Sequence, residues 1–185
     1  LVNNLKESNP ALVDELTPKL LGLGEIQKVL QNLLSEGISI RDLLTIFETL
    51  ADHAPATRDT DVLTEYARQS LKRAISSKYF PANETTSVIT VDPKIEQEIM
   101  GSVKQTEQGA YLTLDPERTK AIMASVEEEV AKLENMGKPA IIMTSPIVSM
   151  YFKKLTEDYF KDLTVLSYNE VESNVELQSV GMVTI

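Results

Sequence analysis

Cysteine and tryptophan are absent from the 185 residues, and histidine occurs once, at His53. Without cysteine there can be no disulfide, no thiolate metal site and no cysteine nucleophile, a usage that fits a cytosolic setting. A single imidazole leaves little for metal chemistry. The seven glycines are scattered, and neither G-x-x-x-x-G-K-[ST] nor G-x-G-x-x-G occurs, so no phosphate cradle is encoded. Long apolar runs are also missing. Runs such as Pro139 to Met143 fall far short of the roughly 20 residues that a membrane span needs, and nothing resembles a signal peptide. Positive charge is in deficit: residues 1–85 carry 9 basic and 12 acidic side chains, residues 86–185 carry 9 and 16, and the net charge is −10. A field of that sign repels phosphate backbones and anionic lipid, which excludes nucleic acid as a partner and leaves basic or amphipathic proteins.

What is present is an apolar fraction of 42%, enough for a substantial core. In the first half the apolar residues follow the helical period. Ile26, Val29, Leu30, Leu33 and Leu34 form the stripe of one helix, which Gly37 stops. Ser39 and Asp42 stand at the N-cap and N3 positions expected of a second helix, with Ile38 and Leu43 placed as a hydrophobic staple. Its stripe continues through Leu43, Leu44, Phe47, Leu50 and Ala51 to Pro55, and a third helix is predicted from Asp61 to about Phe80. Shorter helices are expected near Leu1–Ser8 and Ala11–Leu16. Because the helical pattern is already running at Leu1, the chain is expected to be part of a longer protein.

After Phe80 the period changes. SVITV reads as a short strand, and a strand-to-helix device follows three times: TVDP at Thr90, TLDP at Thr113 and MTSP at Met143. In each, Asp or Ser is placed to cap a helix and proline takes N1, where its missing amide costs nothing. TVDPKIEQEIMGSV and TLDPERTKAIMASV also share Thr, Asp, Pro, Ile, Met, Ser and Val at 23-residue spacing. LTVLSYNEV and ELQSVGMVTI read as a closing pair of strands around a polar turn at Glu172–Asn174. The fold class is therefore α+β: an all-helical bundle followed by a small α/β subdomain of repeated strand-helix units.

Chemistry is thinly represented. His53 lies in the last turn of its helix, where a cation suits the helix dipole. No G-x-S-x-G occurs, and Ser145 precedes a proline and reads as a cap. Glu127, Glu128 and Glu129 point in different directions along one helix and read as a solvated acidic face. The corner at Gly37–Ser39 has helix-turn-helix spacing, yet the segment Ile40–Asp52 sets Arg41 against Asp42, Glu48 and Asp52, the wrong sign for phosphate. No catalytic, cofactor-binding or metal residue is assigned. On these residues alone, a stand-alone helical regulatory protein with an α/β ligand-binding domain remains a possible reading.

KVLQNLLSEGISIRDLLTIFETLADHAP (Lys28–Pro55), RAISSKYFP (Arg73–Pro81) and VLSYNEV (Val165–Val171) together closely resemble the C-terminal cytoplasmic region of the FHIPEP family. These are the export-gate proteins of flagellar and virulence type III secretion. Gly37 departs from the family's pattern, which has a basic residue there in many members. The resemblance implies a large inner-membrane protein with a transmembrane N-terminal half and a cytoplasmic half that assembles as a nine-membered ring. That half receives export chaperone–substrate complexes at the cytoplasmic face and works with other export-apparatus proteins, without cofactor or catalysis. Membrane contact would come only through the N-terminal part. Residues 1–16 would be the helical tail of a preceding subdomain, 17–84 the helical subdomain and 85–185 the α/β subdomain. The family's chaperone-binding pocket would precede Leu1. Arg41 is left without a local duty, as either a subdomain or subunit contact or a solvated charge.

Overall fold

Helical periodicity governs the chain up to Tyr79. The computed structural model describes residues 1–107 and 109–185, and the chain divides into the units Leu1–Tyr79 and Phe80–Ile185. The first holds α1 (Val2–Ser8), α2 (Pro10–Leu16), α3 (Leu23–Ser35), α4 (Leu43–His53), α5 (Thr60–Ser70) and α6 (Lys72–Tyr79). Helix α5 packs against both α3 and α4, and α2 packs against α4. Ile26, Val29, Leu33, Ile46, Phe47, Leu50, Leu63 and Ala67 are buried at their centre.

Three expectations for this unit are corrected. Leu34 and Leu44, assigned to buried stripes, are exposed; each stripe is narrower than predicted because α5 covers only one side of α3 and α4. The predicted third helix is interrupted at Leu71 (φ −100°, ψ 17°), whose amide is shared between the carbonyls of Ala67 and Arg68. Helix α4 starts at Leu43, so Asp42 is its N-cap and accepts a hydrogen bond from the Thr45 amide at 3.2 Å. Ser39 instead closes a local turn, its Oγ accepting from the Arg41 amide at 3.3 Å. This shift also removes Ile38 and Leu43 from the staple positions. Buried Ile38 serves the preceding helix, where its amide reaches the Leu33 carbonyl while the Gly37 amide reaches Leu34. That is a Schellman stop, and its φ of +75° at Gly37 favours glycine.

The second unit contains β1 (Thr85–Val91), α7 (Pro93–Gly101), β2 (Val103–Thr106), β3 (Gly109–Leu112), α8 (Pro116–Asn135), β4 (Ile141–Thr144), α9 (Val148–Thr156), β5 (Thr164–Ser167) and β6 (Glu176–Val183). Strands β5, β4, β1 and β6, in that order, form a sheet whose neighbours are all parallel. Helix α8 lies against β1 and β6, while α9 lies against β4, β5 and α7. The buried strand β4 (IIMT) is apolar nearly throughout, as a parallel strand covered on both faces requires. The two C-terminal strands do not pair with each other: they occupy opposite edges of the sheet.

The capping device forms at two of its three sites. Asp92 accepts from the Lys94 amide and Asp115 from the Glu117 amide, each at 2.9 Å, with Pro93 and Pro116 opening the helices. The two helices then end differently. Gly101 ends α7, whereas its counterpart Ala124 carries α8 onward to Asn135, consistent with the roughly 1 kcal/mol gap between these residues in helix propensity. Strand β3, which leads into TLDP, belongs to a separate two-stranded hairpin with β2. At MTSP the prediction fails. Ser145 is not a cap, because α9 begins only after Ile147; its amide donates to Glu96 Oε2 at 2.8 Å.

Candidate functional site

Arg41 is the one site residue assigned from sequence, and it lies on the corner between α3 and α4. The corner is held from beneath. Arg68, 2% exposed on α5, forms an ion pair with Glu36 at the end of α3, and Lys78 Nζ on α6 donates to the Gly37 carbonyl at 2.5 Å. The backbone before Arg41 is thus fixed by Gly37 and Ser39, and the backbone after it by Asp42. The Arg41 side chain is exposed, with exposed Leu34 and Leu44 preceding and following it in sequence. At the other end of α4, the His53 ring stacks on Tyr66 of α5 with centroids 3.7 Å apart and planes within 7°. That contact gives the single histidine a structural partner besides the helix dipole.

Carboxyl edges of parallel sheets are the usual ligand position in α/β proteins. Here their polar groups engage one another. Asp92 caps α7 and accepts the Thr184 hydroxyl at 2.8 Å, and these two donors, the Lys94 amide first, hold its carboxyl below the usual range. Ser167 donates to Glu170 Oε1 at 3.0 Å, and Glu170 is fully buried within 4.0 Å of Lys153 Nζ. Burial, followed by the nearby Glu96 charge, pushes the Tyr168 phenol up. No group of three or more His, Cys, Asp or Glu placed to hold a metal occurs among the described residues. No described helix is long and apolar enough to cross a membrane.

Sequence reasoning did not single out buried Arg68 or Glu170, and it misplaced Glu129. Glu129 does not belong to a solvated acidic face. It is 8% exposed, with Oε1 accepting from Lys132 at 2.8 Å and Oε2 buried without a hydrogen bond. Gly181 on the facing strand leaves room for the carboxylate.

These observations define the class: an α+β domain with a helical unit followed by a parallel-sheet unit. Residues 1–176 match the FHIPEP family, and the chain belongs to that family. It is 50% identical to the flagellar biosynthesis protein FlhA of Bacillus subtilis over 185 residues, all of this chain and 27% of that protein. Among solved structures, it is similar to the Chlamydia pneumoniae CdsV protein, with 38% identity and a TM-score of 0.91 over all of this chain and 53% of that one. It is also similar to the nonameric EscV cytosolic domain from the type III secretion system, with 35% identity and a TM-score of 0.77 over all of this chain and 54% of that one. The chain therefore spans about a quarter of the length of the curated relatives it matches.

Proposed function

We propose that this chain is part of the cytoplasmic half of a flagellar protein export gate: a non-enzymatic platform that forms part of a ring and receives export chaperone–substrate complexes. The observation that carries this reading is likeness along the whole chain, in sequence to a flagellar FlhA and in structure to a nonameric cytosolic domain. On this reading the segment works at the cytoplasmic face of the bacterial inner membrane. Residues 1–16 complete a preceding subdomain, 17–84 form the helical one and 85–185 the α/β one. The principal chaperone pocket precedes Leu1.

Interface energy concentrates in a few central residues. Without that pocket the chain should dock a flagellar chaperone–substrate complex only weakly, in the high-micromolar range or about −5 to −6 kcal/mol. Calorimetric titration of this chain beside one extended upstream by two subdomains tests the reading. Equal affinity for both would move the docking surface into these residues.

Arg41 is proposed as a contact to a neighbouring subdomain or subunit, since its backbone is fixed on both sides while its side chain is exposed. Arg41→Glu should disrupt ring assembly of the extended protein without lowering the unfolding midpoint of this chain. Intact rings together with an unchanged unfolding midpoint of the extended protein would assign Arg41 to solvent.

A further inference from the structure

Strand β6 is an edge of the sheet, hydrogen-bonded to β1 on one side, with no described strand on the other. The opposite edge, β5, is guarded by its brevity: it has four residues, three of them buried. Strand β6 has eight residues, and Glu176, Gln178, Ser179 and Met182 are exposed. Bare edges are templates for another strand, and proteins usually guard them with lysine, proline, short length or bulges. From Glu172 to Ile185 there is no lysine, arginine or proline. The guards among the described residues are the one charge of exposed Glu176 and a bulge, where Val88 pairs with Ser179 and Ile89 with Gly181, leaving Val180 as the extra residue.

Charge and symmetry select the occupant. Two β6 edges pairing with each other would make an isologous contact that joins copies in twos. A solved relative is nonameric, and an odd number of copies cannot all be paired in that way. At the amino end of the edge the surface is anionic: Glu176 is exposed and accepts from Thr85 at 3.2 Å, with exposed Glu84 beside Thr85 in sequence. At the carboxyl end it is apolar, with exposed Met182 and Ile185. Main-chain pairing would supply affinity without demanding sequence, and the two ends would set polarity.

We propose that the β6 edge is a strand-docking site, and that it takes as a fifth strand an extended segment of a partner polypeptide, basic at one end and apolar at the other. The inference rests on the edge geometry and charge of this unit, so it can fail without touching the chaperone-docking reading, and the converse also holds.

The probe is a fluorescein-labelled peptide of about seven residues, roughly one strand length, alternating valine and threonine with lysines at one end. It is made in both orders, because the edge accepts parallel or antiparallel pairing. Fluorescence anisotropy with this 185-residue chain should show saturable binding of one order, weakened about tenfold or more by replacing the lysines with glutamate, and by Glu176→Lys in the protein. A copy of the peptide N-methylated at alternate amides, which retains every side chain but loses one edge of donors, should not bind. Hydrogen exchange on the unaltered protein should show slowed β6 amides when peptide is present, a readout that needs no variant to fold. Equal binding of the N-methylated peptide, unprotected β6 amides in the complex, or no binding of either order at millimolar concentration would overturn the proposal. So would a dimer of the free chain whose β6 amides are already protected, which would make the occupant a second copy.

Discussion

A Cβ on Gly181 would stand 2.0 Å from Oε2 of Glu129 and 3.0 Å from Cδ1 of Ile89. The strand thus carries no side chain at the point where α8 lays its carboxylate against the sheet. The buried Oε2 lacks a hydrogen bond, a defect worth about 1–3 kcal/mol, while the exposed-side pairing with Lys132 returns only a few tenths of a kcal/mol. Glu129→Met, close in volume and without the orphaned oxygen, should therefore raise stability by about 1 kcal/mol. Gly181→Ala must push aside only the free end of Glu129 and the tip of Ile89, so it should lower stability by about 1 kcal/mol, and by less in a Glu129→Ala background. Urea denaturation of the single and double variants gives the coupling directly. Additive effects would mean that the two residues do not meet.

The α3–α4 corner gives a second prediction. Asp42 is the N-cap, with Oδ1 accepting the Thr45 amide and Oδ2 the Thr45 hydroxyl. Asp42→Ala should cost about 0.5–2 kcal/mol, whereas Ser39→Ala, which removes only a local turn bond, should cost less. Paired denaturation midpoints decide it, and the reverse order would return the start of α4 to Ser39.

Local signals explain which parts of this fold were readable in advance. The Asp-Pro caps at Asp92 and Asp115 formed as expected because capping involves only the next few residues. Ser145 carried the same signal, yet α9 starts only after Ile147, and the Ser145 amide is held by Glu96, 49 positions away. The strands themselves were visible from their apolar runs, yet their order was not. β5 and β6 are consecutive strands in sequence, yet β5 pairs with β4 and β6 with β1, at opposite edges of the sheet. Helix α8 shows the same limit. Its acidic run was plain, but which glutamate faces the sheet depends on a glycine on β6. The resemblance carried the functional reading, and composition alone yielded only exclusions.

Ile147 provides the third prediction. It holds φ +75°, a conformation rare for a β-branched residue, while its side chain is 61% exposed. Little packing is lost by removing that side chain, and the strain it relieves is of order 1–3 kcal/mol. Ile147→Gly should therefore stabilise the chain by about 1 kcal/mol, after allowing for the added freedom of glycine in the unfolded chain. Ser145→Ala in the same loop should be close to neutral, since it is the Ser145 amide, not its hydroxyl, that meets Glu96. A lower urea midpoint for Ile147→Gly would mean that the exposed side chain is packed in solution.

Acid sensitivity follows from three carboxylates. Glu98 receives two bonds from Arg118, at 2.7 and 2.8 Å, and that hydrogen bonding, ahead of the charge itself, holds its pKa below the usual range. Glu25 is lowered by hydrogen bonding to Arg58 and then to the Gly22 amide, and Asp92 by the Lys94 amide and then the Thr184 hydroxyl. In each case the folded pKa lies below the unfolded one, near 4 for such groups. Their stabilisation is fully present above the unfolded value and is lost as pH falls through the folded one. The urea midpoint should accordingly stay level from pH 7 to about pH 5 and decline below about pH 4. The Glu98 and Arg118 groups are partly exposed, so screening keeps their share small. Glu98→Gln should shallow the acid limb without abolishing it, and 0.5 M salt should do the same through screening. A midpoint that rises on acidification below pH 4 would contradict the sign of all three shifts and point instead to relief of the chain's excess negative charge as the dominant effect.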